Sequence, residues 1–156
     1  MQTLEYQVEQ VFLIHRETSL LLQHVVSDKA IAKDPDMVSS MLSAIQDFIM
    51  DSFTGESSLN ALRLGDLNVL IEQGPYVAIA AVVRGSAPAE FRSLLVKALE
   101  HVHQHYEAAV KHYDGNVDRF KATEPLLAQC LLMQQRQQPK AKQTPWLAYS
   151  LLGLMI

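Results

Sequence analysis

Over residues 38–53, VSSMLSAIQDFIMDSF, apolar side chains recur at helical spacing. Met37, Val38, Met41, Leu42, Ile45, Phe48 and Ile49 share one face; Ser39, Ser40, Ser43, Gln46, Asp47 and Met50 fall largely on the other. Asp34-Pro35-Asp36 supplies the start: a capping side chain, a proline at the first helical position and an acid in the first turn. The pattern predicts one helix from Asp34 to about Phe53, lying on an apolar surface.

Short β-prone runs flank it. Gln10–His15 and Leu20–Val26, separated by Arg16–Ser19, read as a hairpin. After the polar break Thr54-Gly55-Glu56-Ser57-Ser58, Leu59–Leu64 and Leu67–Gln73 flank Gly65-Asp66, a two-residue loop of the kind hairpins favour. Gly74-Pro75 turns the chain into Tyr76–Arg84, whose core YVAIAAVV is apolar on both faces, as a central strand covered on both sides must be. Ala78 and Ala80 on one face leave room for a helix to approach closely.

Gly85 ends that strand, and Pro88 with Glu90 opens a second helix. Phe91, Leu94, Leu95, Ala98, Leu99, Val102, Tyr106, Ala109 and Tyr113 form its stripe, and Asp114-Gly115-Asn116 stops it. Val117–Met133 reads as a third helix with Phe120, Leu126, Leu127, Cys130 and Leu131 inward and Pro125 as a kink or break. The order β-β-α-β-β-β-α-α predicts an α/β (α+β) domain over residues 8–133: a five-stranded antiparallel sheet, the first helix on one face and two on the other.

Residues 134–144, QQRQQPKAKQT, read as a polar, basic linker. Pro145–Ile156, PWLAYSLLGLMI, is continuously apolar. As a helix it reaches about 18 Å at about 1.5 Å per residue, against a hydrocarbon core of about 30 Å. It has no polar face for lying in an interface. It is therefore expected to be the start of a truncated transmembrane helix, the alternative being an apolar tail packed on the domain or a partner. Arg136, Lys140 and Lys142 precede it, which places residues 1–140 in the cytoplasm by the positive-inside rule.

Composition narrows the function. The chain has 156 residues, is 49% hydrophobic and carries a net charge of −4, so it holds a core of its own and no basic face that would neutralise a row of phosphates. Cys130 is the sole cysteine, which leaves no intrachain disulfide and no cysteine-based zinc site. The first ten residues lack the basic and apolar regions of a signal peptide.

Candidate chemistry is sparse. His101, His103, His105 and His112 cluster in the second helix; His101 and His105 are four apart on one face, with His112 near the same line. Two imidazoles at that spacing bind zinc or nickel when a third ligand joins them, and Glu100 and Glu107 are near in sequence. The competing reading is a set of amphipathic rings bordering the apolar stripe, so His101, His105 and His112 are metal candidates only and no metal site is assigned. His15 and His24 read as ordinary residues of a solvated hairpin edge, or else as a cross-strand pair. Asp47 and Asp51, one turn apart, read as solvated carboxylates. Ser39, Ser40 and Ser43 lack a base and nucleophile-elbow glycines, and Gly65, Gly74 and Gly85 lack phosphate-loop spacing. No catalytic residue and no cofactor is expected, and the reading is of a non-enzyme.

The order of elements resembles the longin and roadblock group of folds. VFLIHRETSLLLQHV (11–25), MVSSMLSAIQDFIMDSF (37–53) and IEQGPYVAIAAVVRG (71–85) are similar to a cytoplasmic domain found at the N-terminus of some bacterial inner-membrane proteins. In these, one transmembrane helix and often a periplasmic OmpA-like domain follow. The resemblance covers about residues 8–156 and departs in two places: glycine is frequent there where Thr18-Ser19 stands, and no OmpA-like domain is present here. It implies a membrane-tethered scaffold or interaction domain at the bacterial inner membrane. Its partners would be proteins and not nucleic acid, with a second copy of the chain among them. The alternative is a roadblock-like regulator or docking platform for a small GTPase.

Overall fold

The computed structural model describes residues 6–28, 30, 35–54 and 61–131. The polar linker and the apolar segment Pro145–Ile156 lie outside the described residues, as do Asp34, residues 59–60 at the start of the predicted third strand, and residues 132–133. Strands β1 (Tyr6–His15), β2 (Leu21–Val26), β3 (Ala61–Leu64), β4 (Leu67–Gln73) and β5 (Val77–Gly85) make one antiparallel sheet in the order β2-β1-β5-β4-β3. Helix α1 (Pro35–Thr54) stands between the hairpins; α2 (Ala89–His105) and α3 (Glu107–Lys111) follow β5. A 3-10 segment, Val117–Thr123, leads into helical residues 124–131. No helix among the described residues is long and apolar enough to cross a membrane.

The sheet is covered on both faces because β1 and β5 alternate two apolar sets. Phe12, Ile14, Ala78, Ala80 and Val82 pack with Met41, Ile45 and Ile49 of α1. Val11, Leu13, Val77, Ile79, Ala81 and Val83 pack with Phe91, Leu95 and Val102 of α2, then with Val110, Phe120, Leu127 and Cys130. β5 occupies the middle of the sheet and is buried along Val77–Val83. The small Ala78 and Ala80 lie on the face of the sheet that packs with α1.

Two turns show how local sequence sets register. Leu64 pairs with Leu67 across Gly65-Asp66, and Gly65 has φ 63°, the positive value a primed two-residue turn needs at its first position. In the β1–β2 connection Ser19 takes φ 57°, a left-handed conformation in which glycine carries no Cβ penalty.

Several expectations are corrected. β1 begins at Tyr6, four residues before the predicted start at Gln10. The second helix does not run to Tyr113: Tyr106, at φ −128° and ψ 29°, separates α2 from α3. That break sets Val110 against the sheet, where it is fully buried and its carbonyl meets His15. The third helix opens as a 3-10 turn, with Asn116 accepting a hydrogen bond from the Asp118 N–H at 2.9 Å. Pro125 therefore sits in the first turn of residues 124–131, where its missing N–H is harmless, and is not an internal kink. Phe48, expected in the core, is only partly buried, and Met37 is 46% exposed.

Candidate functional site

The histidines divide into those that hold the fold and those on its surface. His15 is buried and stands opposite Val77 of β5, and His24 stands opposite Phe12, so the expected solvated edge position is corrected and the alternative of a cross-strand pair with His24 does not hold. Its Nε2 lies 3.0 Å from the Val110 carbonyl and its Nδ1 2.9 Å from Thr18 Oγ1. A carbonyl only accepts, so Nε2 carries the proton and Nδ1 accepts from the Thr18 hydroxyl. Thr18 Oγ1 in turn accepts from the Leu20 N–H at 3.2 Å, so the imidazole ties the β1–β2 turn to α3.

His24 lies opposite Phe12 and stacks on its ring at 4.3 Å. Its Nε2–H meets Gln10 Oε1 at 2.8 Å, and partial burial holds its pKa below the ordinary imidazole value. Gln10 is fully buried beside it. His103 closes a third clamp: Nδ1–H donates to the Leu99 carbonyl at 2.9 Å, and Nε2 accepts from the Tyr76 N–H at 3.2 Å. In His15 and His103 both ring nitrogens serve structural contacts, which leaves neither free for proton transfer.

His101 and His105 do come together, with ring centroids 4.0 Å apart. Both are exposed, and His105 Nδ1–H donates to the His101 carbonyl at 3.1 Å. His112 lies beyond the break at Tyr106, at the exposed C-terminal cap of α3. Among the described residues no group of three or more histidine, cysteine or acidic side chains is arranged to hold a metal. Asp47, Ser39, Ser40 and Ser43 lie exposed on α1, as does Asp51 at its end. The Cys130 thiol is buried and pushed up to about 12, which keeps it protonated and unreactive at neutral pH.

The remaining constellation was not anticipated from the sequence. The β1–β5 register slips between Val8 and Gln10, leaving Glu9 with no residue opposite it. Glu9 is fully buried, and its Oε2 accepts from Arg84 Nε at 3.0 Å. Arg84, about one-third exposed, lines a cleft of about 420 Å³ under the first two turns of α1. Met37, Met41 and Leu67 supply apolar lining, and Ser40, Gly65 and Asp66 complete it. The signal for this site was a glutamate beside the apolar run VFLI and an arginine closing an otherwise apolar strand. Neither residue type is cheap to bury unless it has a partner.

The fold class is thus a mixed α/β domain built on a five-stranded antiparallel sheet. No protein-family model matches the chain, and no curated protein matches it.

Proposed function

We propose that this chain is a non-enzymatic interaction domain of the longin and roadblock type, tethered to the cytoplasmic face of a bacterial inner membrane. The single observation that carries the reading is an order along the chain. A sheet closed on both faces by helices is followed by a basic run, Arg136 to Lys142, and then by the uninterrupted apolar segment Pro145–Ile156. That order suits a folded head, a charged stop and an anchor. The fate of the polar core supports it: the buried His15 and the partly buried His103 are engaged at both ring nitrogens.

Cell fractionation tests the tether. Expressed from its intact gene, the protein should sediment with inner membranes and resist extraction by carbonate, while a version ending at residue 140 should be released. Recovery of the whole chain in the soluble fraction would remove the anchor from the account.

A further inference from the structure

We propose that the cleft between α1 and the β3–β4 turn binds a small monocarboxylate with an apolar body, its carboxylate received by Arg84. Three observations converge. First, Arg84 is held by only one of its nitrogens: Nε donates to Glu9, and neither Nη1 nor Nη2 has a partner among the described residues. Second, the carboxylate that holds it is fully buried and sits at a register slip in β1. A guanidinium pinned along its Nε side keeps the outer Nη pair free, and that pair matches a carboxylate end-on with two parallel hydrogen bonds. Third, Arg84 lines a cleft of about 420 Å³, within the size range of small-molecule sites, roughly 300–1,000 Å³.

The rest of the lining fixes the ligand class. Met41 and Leu67 are buried and Met37 half-exposed, so the cleft has apolar walls that suit an alkyl or aryl group. Methionine side chains adjust to such groups without a fixed shape. The cleft is too small for a helix or a folded partner. Asp66 also lines it, on the exposed two-residue turn, and would favour a cationic head. The Glu9–Arg84 arrangement argues for the anion, because a buried carboxylate pre-orients the guanidinium, whereas Asp66 is a solvated side chain on a turn.

The experiment compares hexanoate, hexanol and hexylamine by titration of the full chain labelled with ¹³C at its methionine methyl groups. Hexanoate should shift the Met37 and Met41 signals and bind at least about tenfold more tightly than hexanol. Arg84→Gln should erase that preference. Ser40→Trp, which fills the entrance from an exposed position and leaves Glu9 paired, should abolish hexanoate binding while the other methionine signals stay in place. That variant decides the location even if Arg84→Gln fails to fold. Equal affinity for hexanoate and hexanol, tighter binding of hexylamine, or undiminished hexanoate binding by Ser40→Trp would each overturn the assignment.

Discussion

The His103 imidazole lies directly against Gly74: a Cβ built on that glycine would sit 2.3 Å from His103 Cε1. The ring cannot simply swing away, because both its nitrogens are bonded, to Leu99 and to Tyr76. Gly74 is therefore a packing glycine, there so that α2 can close on the β4–β5 turn. Arg16 reinforces the turn by donating from Nη1 to the Gly74 carbonyl at 2.9 Å.

Gly74→Ala should accordingly destabilise the domain by about 1–3 kcal/mol, the range for overpacking a filled site. Denaturant unfolding of Gly74→Ala, His103→Ala and the double variant checks the cause. In the His103→Ala background the alanine should cost markedly less, since the clash is with that ring. An unchanged cost would place the strain elsewhere.

The β1–β2 turn gives a second outcome. A left-handed residue other than glycine costs roughly 1–2 kcal/mol, and glycine's extra chain entropy returns about 0.5–1 kcal/mol of that. Ser19→Gly should therefore raise stability by up to about 1 kcal/mol, while Ser19→Val should lower it. Thermal unfolding distinguishes the two.

Core replacements should rank by burial. Ile45 is fully buried on α1, and its change to alanine should cost about 2–5 kcal/mol. Phe48 is only partly buried, so Phe48→Ala should cost less than the about 3–5 kcal/mol of a fully enclosed ring. Equal losses at the fully buried range would mean Phe48 is more enclosed than the structure shows.

Much of this architecture was legible because it is written in local periodicity. The α1 stripe, the doubly apolar β5 and the Gly65-Asp66 turn each repeat or break at spacings that only one element type satisfies. What stayed hidden depends on distant partners. Nothing in HQHYEAAVK signals an end to α2 at His105; the break goes with burial of Val110 and its bond to His15, 95 residues away in sequence. The Glu9–Arg84 pair, 75 residues apart, needs the β1–β5 register and its slip to be known first. His15 looked like an edge residue because a hairpin pattern does not say which strand becomes central.

His24 gives a pH dependence with a definite sign. Burial lowers its pKa in the folded protein from the ordinary 6.5, so the unfolded chain takes up the proton first. Its contribution is fully present above about pH 6.5 and is lost as pH falls from there through the lowered folded value. In His24→Gln this part of the stability–pH curve should flatten. Denaturation midpoints measured between neutral and mildly acidic pH check it, and an unchanged slope would assign the dependence to other groups.

The tether is tested most directly by thiol labelling of Gln137→Cys in a Cys130→Ser background, expressed from the intact gene in bacterial cells. A membrane-impermeant thiol reagent should leave the new cysteine unmodified in intact cells and modify it fully after lysis, with the protein in the membrane fraction. Labelling in intact cells, or a fully soluble protein, would contradict a cytoplasmic domain anchored at the inner membrane.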